Sequence, residues 1–129
     1  MKVLLDTCAL LWLAENPRLL SGPAQALLVD ADAKLYISSF AAYEIALKQA
    51  KGKLELPAPA ASWFPQVLQR LQIEEIPVES KIALTAVSLP LGHGDPGDRI
   101  VLATAEVHQM TIVTADRSIR DFVGATVVW

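Results

Sequence analysis

The sequence is poor in the residues that build cross-linked or zinc-held proteins. It has one cysteine and two histidines in 129 residues. A lone Cys8 excludes an internal disulfide framework and fits a reducing compartment. No Cys/His spacing suits zinc. Long apolar runs are missing too. The longest, Cys8 to Ala14, is seven residues, against the roughly 18 that a spanning helix needs. The opening Met1-Lys2-Val3-Leu4-Leu5-Asp6 meets an acid too early for a secretory h-region, so the expected location is the cytoplasm, with no membrane partner. Positive charge is also short: 11 Lys and Arg stand against 14 Asp and Glu, a net charge of −3. Residues 1–64 carry six of each sign, while residues 65–129 carry five basic and eight acidic side chains. Bulk charge therefore argues against a nucleic-acid partner, since phosphate affinity comes mainly from Lys and Arg.

What is present is apolar. Hydrophobic residues make up 53% and charged residues 19%, against usual values of about 45–50% and about 25%. That excludes disorder. The length suits one domain, typical domains having roughly 100–200 residues.

Short apolar runs alternate with helical patterns. Strands are predicted at 3–5, 35–37, 73–76, 111–113 and 126–128. A helix capped by Thr7 runs to about Glu15 and stops at Asn16-Pro17; a second covers residues 22–32. Ser38 or Ser39 caps a third helix to about Lys51, which Gly52 ends. Further helices are predicted at 61–71, from the Ser80 cap to about Ser88, from Pro96 to about His108, and at 116–122. Strands that read as continuous Val, Ile and Leu are buried on both faces, which points to a parallel sheet covered by helices. In open sheets of that kind, ligands bind outside the carboxyl ends of the strands.

Acids sit at those ends. Asp6 follows the first strand, and Asp116 follows the fourth after Thr114 and Ala115. Glu44 lies one turn into the helix after the second strand, and Asp98 in the first turn of the helix opened by Asp95-Pro96. Four carboxylates on one edge repel unless a cation compensates. Oxygen ligands alone suit hard cations such as Mg²⁺ or Mn²⁺. Each acid also has a structural reading. Asp6, Asp95 and Asp116 are candidate helix caps, Asp98 the acid of a capping box, and Glu44 with Lys48 an i, i+4 ion pair. The functional reading rests on the shared edge.

Other features carry less. Gly92 to Gly97 matches G-x-G-x-x-G, but no strand precedes it, and Asp95 and Asp98 would face a pyrophosphate. His93 is a candidate base in a glycine-rich loop where a solvated role fits better. His108 reads as a partner of its helix C-terminus, and Cys8 as a small buried side chain.

Four segments in order carry a resemblance: Leu4-Leu5-Asp6-Thr7; Tyr43-Glu44-Ile45 with Lys48 and Gly52-Lys53-Leu54; His93-Gly94-Asp95-Pro96-Gly97-Asp98-Arg99; and Val113-Thr114-Ala115-Asp116. Together with the terminal Val127-Val128-Trp129, they resemble PIN-domain ribonucleases, most of all the VapC-type toxins of toxin–antitoxin modules. The resemblance implies a parallel-sheet, three-layer α/β/α domain over residues 1–129. It implies an endoribonuclease that uses Mg²⁺ or Mn²⁺ held by Asp6, Glu44, Asp98 and Asp116. Thr114 and Asp95 would support those acids. Lys48, Arg99 and Arg117 are candidates to hold RNA, together with Lys51, Lys53 and Arg120. The implied partners are a VapB-type antitoxin, an RNA substrate and a second copy of the chain, with Trp12, Trp63 and Phe64 as candidate partner surface. One departure is Gly97, where the family often has Phe; glycine removes an apolar anchor at the start of the Asp98 helix. The competing readings are a receiver-like phosphoacceptor module, whose late Lys is missing here, and a PIN domain that binds without cleaving.

Overall fold

The structure, a computed structural model, describes residues 1–92 and 94–129. Five strands alternate with helices: β1 (Lys2–Leu5), α1 (Thr7–Glu15), α2 (Gly22–Leu28), β2 (Lys34–Ser38), α3 (Phe40–Ala50), α4 (Ala60–Leu71), β3 (Ile73–Ile76), α5 (Ser80–Ser88), α6 (Pro96–His108), β4 (Thr111–Val113), α7 (Arg117–Arg120) and β5 (Val127–Val128). All the strand pairs are parallel, in the order β3-β2-β1-β4-β5. Among the described residues no helix is long and apolar enough to cross a membrane.

The central strands β1, β2 and β4 are buried on both faces, as their composition requires, while the edge strands β3 and β5 are only partly buried. Val3, Leu5, Leu35, Ile37 and Val113 pack with residues of α1 to α4. Leu4, Tyr36, Ile112 and Ile76 pack with residues of α5, α6 and α7. This two-residue alternation places one set of helices on each face. It also follows from right-handed crossovers, since the chain winds from β1 out to β3 and then returns to β4 on the other side of β1. Full burial of each such aliphatic side chain contributes about 1.5–3 kcal/mol.

The reversal of strand order at β1 and β4 is what positions the site. Leu5 is in register with Val113, and the Asp6 amide donates to the Val113 carbonyl at 3.2 Å. Asp6 and Thr114 are therefore the first residues beyond the two strands, on either side of the crevice that such a reversal leaves open.

Local differences from the sequence reading have identifiable causes. Asp6 rather than Thr7 caps α1, accepting from the Ala9 amide at 2.8 Å. The second helix stops at Leu28 instead of residue 32. There the Asp30 side chain accepts from the Asp32 amide at 2.8 Å, and a local turn of that kind competes with the helix. Asn16-Pro17 ends α1 as expected, but Pro17–Leu19 then forms a short 3-10 turn. Ser38 supplies the hydroxyl at the start of α3, accepting from Phe40. The Ser39 hydroxyl instead accepts from the Val78 amide beyond β3.

Candidate active site

Asp6 stands at the mouth of the crevice. One carboxylate oxygen takes the Ala9 amide and the other takes the Thr114 hydroxyl. Thr114 is fully buried, and its oxygen also accepts the Asp116 amide at 3.0 Å. One hydroxyl thus ties the end of β1 to the segment after β4. Burial pushes the Asp6 carboxyl above its ordinary range. Its hydrogen bonds to Thr114 and Ala9 oppose the shift, and the charges of Asp116 and Asp98 add to it.

The other acids arrive from separate elements. Asp116 caps α7, accepting the Ser118 amide at 2.8 Å and the Ser118 hydroxyl at 2.6 Å. Asp98 lies in the first turn of α6, with its Oδ2 2.9 Å from the same Ser118 hydroxyl oxygen. Asp95 caps α6 through the amides of Gly97 and Asp98, at 2.9 and 3.5 Å. Glu44 comes from α3 and accepts the hydroxyl of buried Thr7 at 2.6 Å. Asp6, Glu44, Asp95, Asp98 and Asp116 all line one open pocket of about 150 Å³. Lys48 is the one basic side chain among the described residues lining it.

The donor set is all oxygen, which is the chemistry a hard divalent cation selects. As they stand, the carboxylates are parked on hydroxyls. Among the described residues no three His, Cys, Asp or Glu groups converge tightly enough to grip an ion. In donor chemistry the pocket acids fit a hard divalent cation.

The PIN domain profile matches residues 3–124. Over 119 residues the chain is 33% identical to Ribonuclease VapC22 of Mycobacterium tuberculosis, covering 92% of this chain and 89% of that one. The chain belongs to the PIN domain family, in its VapC branch. Solved structures agree at the level of fold. VapBC2 from Rickettsia felis, bound to a DNA fragment from its promoter, superposes with a TM-score of 0.69 at 17% identity, over 98% of this chain and 97% of that one. A toxin–antitoxin complex from Klebsiella pneumoniae gives 0.62 at 24% identity, over 95% and 91%. A PIN assignment leaves no ground for the receiver-like alternative.

Within this PIN domain the basic candidates separate. Lys48 reaches the pocket, and Glu44 is turned to Thr7 instead of pairing with it. Arg117 and Arg120 are exposed on α7, and Lys51 and Lys53 lie exposed beyond α3, outside the pocket lining. Arg99 has partners within the fold. Its guanidinium donates to the carbonyls of Ala86, Leu89 and Leu91 at 3.0 to 3.2 Å. A helix leaves its last carbonyls without partners, and Arg99 donates to carbonyls at and beyond the end of α5, so it ties down that loop.

Trp63 and Phe64 are likewise core residues rather than partner surface; the Trp63 indole donates to Glu15 at 2.6 Å. Trp12 stays half-buried, its ring 5.5 Å from that of Trp129. His108 ends α6, ten residues and about 15 Å of helix from Asp98. His93 lies outside the described residues. The glycine-rich segment follows α5 and not a strand, which removes the dinucleotide reading. Cys8 is half-buried in the pocket lining, where burial and then the Asp6 carboxylate push its thiol up. Sequence reasoning missed Ser118 and the Thr7–Glu44 bond. The pattern Thr-x-Asp-x-Ser at 114–118 was the available signal for Ser118.

Proposed function

We propose that this chain is an endoribonuclease that hydrolyses RNA phosphodiester bonds with Mg²⁺ or Mn²⁺, as the toxin half of a toxin–antitoxin module. The observation that carries this reading is the set of acids from four elements, Asp6, Glu44, Asp98 and Asp116, lining one pocket at the switch point of a PIN sheet. A bound divalent cation supplies a water nucleophile at neutral pH and offsets charge on the scissile phosphate. The chain does the rest. The four carboxylates would hold the cation, and Thr114 fixes Asp6 and the Asp116 backbone. Asp95 fixes the α6 terminus that presents Asp98. Lys48, at the rim, gives the phosphate a positive contact. Charge arithmetic supports an RNA partner: apart from the four proposed ligands, ten acids stand against eleven bases.

The named relative is a ribonuclease, and the solved neighbours are toxin–antitoxin complexes. By that likeness we read the partners as a VapB-type antitoxin and a second copy, with residues 1–129 acting as one domain in the cytoplasm. Half-buried Trp12 and exposed Tyr43 and Leu47 offer apolar surface for such contacts. The test is induced expression followed by mapping of new RNA ends, with Asp98→Asn as control. Growth arrest with defined ends for the wild type and neither for the variant supports the reading; arrest by both overturns it.

A further inference from the structure

Ser118 is placed where no structural need of its own helix explains it. The Asp116 carboxylate already caps α7 through the Ser118 amide, so the hydroxyl is not needed as a cap. That hydroxyl instead lies between two carboxylates, 2.6 Å from Asp116 Oδ1 and 2.9 Å from Asp98 Oδ2. The two acids come from different elements. Asp98 is carried by the start of α6, on the β3-to-β4 connection, and Asp116 by the turn after β4. A hydroxyl carries one proton and can donate to one acceptor at a time. Both carboxylates therefore share this one hydroxyl proton, which holds them at hydrogen-bond range of one common point. Ser118 is half-buried; its bond to Asp98 is partly buried and its bond to Asp116 is exposed.

We infer that Ser118 is a positioning residue that sets the separation of Asp98 and Asp116, and so the affinity of the pocket for a divalent cation. The inference rests on the metal-dependent reading above. Groups that orient ligating carboxylates change metal affinity or activity by about 10–100-fold when removed. Ser118→Ala keeps the backbone cap and favours helix. It should therefore weaken Mn²⁺ binding by about 10-fold or more without lowering the melting temperature of the metal-free protein. Saturating Mn²⁺ should restore most of the cleavage rate, and Ser118→Thr, which keeps the hydroxyl, should bind Mn²⁺ nearly as the wild type does.

The experiment is calorimetric titration of the full chain and both variants with Mn²⁺, alongside thermal melts and RNA cleavage across a Mn²⁺ series. Weakened binding in Ser118→Ala with an unchanged melt and rescue by Thr supports the role. Unchanged Mn²⁺ affinity in Ser118→Ala, or a lowered melt that Thr does not restore, overturns it. If the wild type binds Mn²⁺ but cleaves no RNA, the ribonuclease reading fails while the positioning role stands or falls on the titration. If the wild type binds no Mn²⁺, both fail.

Discussion

A β-carbon added to Gly97 would stand 2.5 Å from Glu44 Oε2 and 3.2 Å from its carboxyl carbon. Gly97 is buried in the first turn of α6, and the Glu44 carboxylate fills the space a side chain there would take. The glycine is thus more than the loss of an apolar anchor. It lets an acid from α3 press against the helix that carries Asp98.

Gly97→Ala follows directly. The group it meets is the far end of a flexible side chain, so Glu44 yields before the backbone does. Replacing glycine in a helix by alanine can itself add about 0.5–1 kcal/mol. The variant should therefore melt within a few degrees of the wild type yet lose RNA cleavage by roughly 10-fold or more, the scale on which misplaced metal-site groups act. Thermal melts beside cleavage assays check this; full activity with Ala at 97 would mean that Glu44 placement does not matter.

Asp6→Asn should raise the melting temperature of the metal-free protein while abolishing cleavage. Burial and the neighbouring acids hold the Asp6 carboxyl above its ordinary range. For an acid, a raised value means that the ionised form costs folding free energy at neutral pH, and the amide removes that cost. A melt in chelator at pH 7 decides it. An Asn variant that melts lower than the wild type would show that the Thr114 and Ala9 bonds outweigh the repulsion.

Divalent cations should stabilise the wild type and not the acid variants. A ligand at 100 times its dissociation constant adds about 2.7 kcal/mol to the folded state. Mn²⁺ should thus raise the melting temperature by several degrees, and chelator should reverse it. In Asp98→Asn or Asp116→Asn the rise should shrink or vanish, which differential scanning calorimetry reads directly.

Lys48 and Arg99 should behave as opposites. Lys48 is exposed at the pocket rim, so Lys48→Ala should leave stability within about 0.5 kcal/mol but raise the RNA concentration needed for half-maximal cleavage. Arg99→Ala removes the guanidinium from the carbonyls of Ala86, Leu89 and Leu91, of which Leu89 keeps the Leu91 amide. It should destabilise the fold by about 1–3 kcal/mol. Denaturant melts and steady-state kinetics on both variants separate the two roles; a stable Arg99→Ala with weakened RNA affinity would return Arg99 to the RNA surface.

Much of this was legible because position along a chain encodes an edge. Asp6 and Asp116 could be placed from the apolar runs ahead of them, and Glu44 and Asp98 from helix offsets. The strand order could not be read. Strands such as Thr111–Val113 are three residues long and buried on nearly every side, so they hold little register information. Ser118 was missed because its second partner, Asp98, is twenty residues away. The loop contacts of Arg99 were not legible, because an Arg beside an Asp in a helix looks like a solvent-facing cation. Its destination depends on carbonyls of another helix end, which the sequence does not display. The space at Gly97 is likewise a fact of packing between α3 and α6.

The account stands most directly on cleavage of a labelled RNA by the purified chain, stripped of metal and then titrated with Mn²⁺, with Asp98→Asn in parallel. Cleavage should be absent in chelator, appear with added Mn²⁺, and stay absent in the variant at the same protein concentration. Equal cleavage in chelator, or by Asp98→Asn, would contradict a site built from these four acids.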